Sequence, residues 1–285
     1  MAAPLPGRST AVATLPFGKA QTPAPGREAQ TAAPGARAPH PLDVKPLVSA
    51  NRFKQSNYEV FQPLPIKAYF VSSSGGGKSS SAISAINALF PLYDSFAIFA
   101  STIHVDPSFD TLRKRIKDRM KKKGVNTEDE EERFEFDSLA DLPRVLHKQH
   151  QLIREEKDLG RKTLSQLCVY IDDHLGNMRF NKALDDLFSR GRHIGASCFI
   201  ASQVYRGASG VIRKNIDCMA VFRVNAAEYA AIAEEIVEAD VSAEEFHELY
   251  SRATASPHHF LWGRLKSRDP EKKFYRNYTH RLSVA

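Results

Sequence analysis

The sequence predicts an α/β fold: a mostly parallel sheet flanked by helices. Three observations carry this expectation. Short apolar runs suited to buried strands alternate with longer amphipathic stretches suited to helices. Several of the runs end in polar residues, Ser72, the pair Asp172 and Asp173, and Gln203. Between the first run and the alanine-rich segment that follows it lies Ser72-Ser73-Ser74-Gly75-Gly76-Gly77-Lys78-Ser79-Ser80, in the strand–loop–helix setting of a phosphate-binding loop.

At 285 residues, 42% hydrophobic and 26% charged, the chain can bury a full core. Residues 1–50 hold nine of the 16 prolines, among Ala, Gly and Thr, and too few large apolar side chains to order them. They are expected to form a disordered tail, leaving 51–285 as one folded domain. The net charge of +7 suits a polyanionic partner without requiring one. Cys168, Cys198 and Cys218 sit singly inside apolar runs and read as reduced core residues; no spacing of Cys and His suggests a structural zinc. No apolar run has the length of a bilayer span, and the N-terminal residues lack the apolar stretch of a secretory signal. The expectation is a soluble, intracellular protein.

The first element is the strand 66–71, an unbroken apolar run apart from Lys67. The loop follows. Residues Ser73 to Ser80 would present backbone N–H groups to an anion, glycines permitting the close approach and the next helix adding its positive end. Lys78 would reach the β and γ phosphates of a nucleotide and Ser79 a Mg²⁺ ion. Ser72 stands where the usual pattern has its first glycine, and a Gly/Ser-rich linker would share this composition. The flanking elements argue for the loop: Ala82, Ile83, Ala85, Ile86, Leu89 and Phe90 make the next helix apolar enough to be internal.

A second strand is expected at 95–101. A basic amphipathic helix follows, with Leu112, Ile116 and Met120 on its apolar side; its charge would face solvent or DNA. The acidic run 128–132 would partly neutralise it. Residues 139–157 read as a helix, 167–173 as an apolar strand ending in two acids, and 181–189 as a helix. Strands are then expected at 197–203 and 219–224. Ser242, Glu245, Val241 and Phe246 form a capping box with a hydrophobic staple, fixing a helix start. The last expected strand is 259–263; neighbours such as His258 and His259 would point to opposite faces of a strand, which does not suit a shared metal. The aromatic, basic end from Lys272 to Arg281 suits either nucleic acid or packing.

An apolar strand ending in Asp gives a phosphate loop what it needs, a carboxylate to support Mg²⁺ beside the phosphates. Asp172 fits that role, and Asp173 stands where a carboxylate could deprotonate the attacking water. Gln203, at the tip of another strand, would touch the γ-phosphate or that water. As a structural alternative, the paired acids would only cap a turn.

Arg192-His193-Ile194-Gly195, the apolar run to Ser202-Gln203, and Ile212-Arg213-Lys214-Asn215-Ile216 together resemble the sensor-strand region of the FtsK/HerA superfamily of DNA-translocating ATPases. The paired aspartates and the Gly191-Arg192-His193 triplet resemble most the genome-packaging ATPases of poxviruses and other large DNA viruses. The resemblance covers residues 66–263 and thins after Val224. It implies a P-loop NTPase of the ASCE type, ATP and Mg²⁺ as cofactors, and a homo-oligomeric ring, a hexamer, threading double-stranded DNA. A capsid or portal protein would be a further partner, and the host cytoplasm, virus factory or virion the location. It also implies an arginine acting in trans on the neighbouring subunit's site, Arg192 or Arg213; spacing does not choose. Two departures stand out: Ser72 in place of the first glycine, and Asp173 where many members carry glutamate. The competing functions are a nucleotide or nucleoside kinase, which leaves Gln203 and Asn215 unexplained, and a non-hydrolysing nucleotide-binding assembly protein, for which Ser72 is the support.

Overall fold

The central strand β1 (Lys67–Val71) is buried on both faces, as a strand between two helical layers must be. It belongs to a nine-stranded sheet in a computed structural model that describes residues 52–103, 106–126, 129, 132–173, 178–237 and 241–283. The tail expected at 1–50 lies outside the described residues, as does most of the acidic run at 128–132.

The other strands are β2 (Ser95–Ala100), β3 (Glu135–Phe136), β4 (Leu167–Asp172), β5 (Ala196–Ser202), β6 (Cys218–Val221), β7 (Leu261–Arg264), β8 (Phe274–Arg276) and β9 (His280–Leu282). Their spatial order is β3-β2-β4-β5-β1-β6-β7-β8-β9. Strands β3 to β6 in that order are parallel, and β7, β8 and β9 continue the sheet antiparallel. The sheet is therefore mostly parallel, as expected. Val71 pairs with Ser202 and Asp172 with Ala201, so the ends of β1, β4 and β5 lie level along one edge.

Alternation along the strands divides the core in two. Ala68 and Phe70 of β1 face a layer that includes α1 (Lys78–Leu89) and α2 (Asp110–Lys122), through Ala82, Ile86, Leu112 and Ile116. Tyr69 and Val71 face the other layer, built from α3 (Leu142–Asp158), α4 (Lys182–Arg190), α5 (Gly210–Lys214), α6 (Ala226–Ile236) and α7 (Ala243–Ala253). Cys168, Cys198 and Cys218 are free and buried, and burial pushes each thiol's pKa well up. Among the described residues no helix is long and apolar enough to cross a membrane.

The capping box at Ser242 is present: its hydroxyl accepts from Glu245 N–H at 3.1 Å, and the Glu245 carboxylate accepts from Ser242 N–H at 2.7 Å. The basic helix α2 spends part of its charge internally. Arg113 pairs with Asp110 and Glu135, and the guanidinium groups of Arg115 and Arg119 lie 4.2 and 3.8 Å from the centre of the Phe90 ring.

Three expectations change. The strand expected at 259–263 starts at Leu261, because His258 takes a left-handed backbone (φ 61°) that no strand continues through, so the two histidines belong to a turn. That strand is also not the last: the aromatic end folds back as β8 and β9, burying Phe274 and Tyr275, while Lys272 and Arg281 pair with Glu59. Helix α6, not foreseen, starts at Asn225, whose side chain accepts from Glu228 N–H at 2.9 Å.

Candidate active site

Where β1 ends, Ser72 donates its N–H to Ser202 O at 3.3 Å and its hydroxyl to Ser73 O at 2.9 Å, fully buried. Ser73, Ser74 and Gly75 form the exposed rim of the loop. Gly75 (φ 72°) and Gly77 (φ 103°) are left-handed, a conformation glycine takes without steric cost. Gly76 is glycine for another reason. A Cβ there would lie 1.8 Å from the Ser72 hydroxyl oxygen, so the serine in the first position and the glycine at 76 are two halves of one fit. The loop hands over at Gly77 to α1, whose first residue is Lys78 and whose N-cap carries no side-chain acceptor, so the first-turn N–H groups stay available to an anion.

Asp172 ends β4 and is 4% exposed; its Oδ1 has no hydrogen-bond partner. Burial pushes its carboxyl pKa up, and the Ser79 hydroxyl beside it, then Lys78, pull it partly back. A buried carboxylate oxygen without a partner next to a serine hydroxyl is the hard-oxygen donor set that Mg²⁺ takes, completed by water and phosphate.

Asp173 follows in a left-handed conformation (φ 51°), which turns its side chain out of the strand direction. Its Oδ2 accepts from Lys78 Nζ at 2.8 Å and from Gln203 Nε2 at 3.1 Å. Lys78, Asp173 and Gln203 thus come together where the ends of β1, β4 and β5 meet, as their positions in the sequence suggested. A contact between Lys78 and Asp173 was not foreseen, because residue spacing says nothing about which strand ends are level.

The two arginines lie elsewhere in the chain. Arg192 gives Nη2 to Asp217 Oδ1 at 2.6 Å. Asp217 precedes β6 and also accepts from Lys67 N–H at 2.9 Å, which places this pair at the edge of the parallel strands opposite the loop. Arg213, in α5, has Nε 2.9 Å from Glu235 Oε1 and its guanidinium 5.8 Å from the centre of the Tyr205 ring. Sequence reasoning missed His258, whose Nδ1 is 3.4 Å from Gly76 O, and Tyr278, whose hydroxyl donates to Ser81 O at 2.8 Å. Both come from the segment after Val224, and no local pattern marks either.

No family model and no curated protein matches the sequence. Solved structures do match. The genome-packaging NTPase B204 from Sulfolobus turreted icosahedral virus 2, in complex with ATP-gammaS, is 13% identical, with a TM-score of 0.51, over 78% of this chain and 100% of that one. Its complex with AMP matches at 15% identity and a TM-score of 0.51 over 75% and 97%. EssC from Geobacillus thermodenitrificans matches at 12% identity and a TM-score of 0.48 over 74% of this chain and 39% of that one. The chain thus shares its fold, a helix-flanked and mostly parallel sheet, with a viral genome-packaging NTPase.

Proposed function

We propose that this chain is an ATPase of the ASCE type that hydrolyses ATP and couples turnover to the movement of double-stranded DNA, packaging a viral genome. The observation that carries the reading is the meeting of Lys78, Asp173 and Gln203 on one carboxylate oxygen, with Asp172 and Ser79 beside them. The B204 neighbour is a packaging NTPase seen with nucleotides, which supports the same direction.

Loop N–H groups from Ser73 to Ser80 and the Lys78 ammonium bind the phosphates. Ser79 and Asp172 would hold Mg²⁺, which when bound neutralises charge on the phosphate oxygens. The phosphates compete with Asp173 for Lys78, and the freed carboxylate takes a proton from the attacking water as that water's oxygen bonds to the γ-phosphorus and the bond to the bridging oxygen breaks. Gln203 orients the water. Asp is one methylene shorter than Glu, and the left-handed backbone at Asp173 re-aims the shorter side chain. Ser72 is accommodated by Gly76, which removes the main support for a decayed loop.

The remaining parts of the reading rest on the family resemblance: a homo-oligomeric ring, a hexamer, acting from the host cytoplasm or the virion with a capsid or portal partner, and Arg192 or Arg213 completing the neighbouring site. Each is ion-paired within the chain, Arg192 with Asp217 and Arg213 with Glu235. The folded domain is assigned to 51–285 and the tail to 1–50. Lys78→Ala and Asp173→Ala should each abolish ATP turnover; DNA-stimulated hydrolysis persisting in either variant rejects the assigned roles.

A further inference from the structure

The acid strand β4 and the sensor strand β5 lie on one side of β1, and β6 and β7 lie on the other. On the reading of the loop as an ATP site, from which this inference starts, Asp173 and Gln203 bracket the reacting phosphate. The opposite end of the nucleotide must then leave the loop toward the first turn of α1 and the β6–β7 side.

On that side His258 presents an exposed ring beside the loop. It stands in the turn between α7 and β7, is solvent-exposed, and keeps a left-handed backbone uncommon for a residue with a side chain. Its Nδ1 and Cβ lie 3.6 and 3.7 Å from where a Cβ on Gly77 would be, so the imidazole is set directly against the loop's last glycine. The Phe222 ring, packed on Phe260 at 4.8 Å between centroids, lies 3.5 Å from the same Gly77 position, and the Tyr278 hydroxyl ties Ser81 of α1 to the C-terminal strands. His258 Nδ1 also lies 3.4 Å from Gly76 O, so the turn rests against the loop through this side chain.

We propose that His258 binds the nucleoside end: its imidazole is the surface on which the base of the bound nucleotide stacks. A planar ring, exposed on one side and fixed beside the loop's exit, has the chemistry for a base and adds nothing for the distal phosphates. Imidazole is among the side chains on which bases stack.

The test compares two probes on the full chain with Mg²⁺, a non-hydrolysable ATP analogue and inorganic tripolyphosphate. His258→Asn removes the ring while tolerating the left-handed backbone, and His258→Gly relieves that backbone altogether. Both are expected to weaken the analogue about tenfold, about 1.4 kcal/mol, and to leave tripolyphosphate within about twofold. Equal weakening of both probes, or no weakening of either, overturns the stacking role. Lys78→Ala separates this from the reading beneath it: weakening of both probes supports the loop as the phosphate site, and unchanged binding of both refutes the site itself.

Discussion

Replacing Gly76 by alanine probes the fit that lets a serine stand in the first position of the loop. The new Cβ would lie 1.8 Å from Ser72 Oγ, 3.2 Å from Ser72 Cβ and 3.2 Å from Ser73 O. The first contact is impossible and the other two are tight. Ser72 is fully buried, so its hydroxyl cannot swing into solvent; it must leave its bond to Ser73 O or push the loop backbone outward. Overpacking of this kind costs about 1–3 kcal/mol, and the lost hydrogen bond about 1 kcal/mol of that. Part of this should appear as weakened nucleotide binding, since the displaced backbone is the one proposed to present N–H groups to phosphate. In the double variant Ser72→Gly with Gly76→Ala the 1.8 Å contact no longer exists, and a favourable coupling of about 1–2 kcal/mol is expected. Thermal melting and nucleotide titration of the parent, both single variants and the double variant measure it. A Gly76→Ala protein as stable and as tight-binding as the parent, or a double variant no better than that single one, would refute the argument.

Two further predictions concern the scaffold. Lys67 is 3% exposed, and burial lowers its pKa from 10.5 to about 8, with Asp217 opposing the shift. Below about pH 8 the folded state carries the full cost of the buried charge; that cost falls as pH rises from 8 to 10.5, because the folded state loses the proton first. The full difference corresponds to roughly 3 kcal/mol, and with screening at the sheet edge about 1–2 kcal/mol is expected. Lys67→Met should therefore gain stability over the parent at pH 7 and lose that advantage by pH 10, in chemical denaturation at both pH values; an advantage independent of pH contradicts the linkage. Ser242→Ala removes an N-cap and should cost about 1 kcal/mol, a fall of about 2–4 °C in Tm, and an unchanged Tm would show that the cap contributes nothing.

The strand-end positions of Ser72, Asp172, Asp173 and Gln203 were legible in the sequence because each lies at the end of a buried apolar strand, where polarity changes abruptly within one or two residues. Val71 to Ser72, Ile171 to Asp172 and Ala201 to Gln203 all show that change. The contacts among them were not legible: Lys78 meets Asp173 only because β5 stands between β1 and β4 with their ends level, a fact of sheet order. Helix α6 escaped because alanine-rich segments carry a weak amphipathic signal, although Asn225 was a readable start. Strand β3 is too short to leave a pattern. His258 was misplaced because its left-handed backbone follows from the turn it closes, which a histidine does not announce as glycine would. The serine at 72 looked like a defect until the packing of Gly76 against it gave the reason.

Steady-state ATP turnover by the full chain, with and without linear double-stranded DNA and in the presence of Mg²⁺, tests the central claim most directly. The account predicts measurable hydrolysis that rises when DNA is added. Turnover that DNA leaves unchanged, or no turnover under either condition, would contradict it.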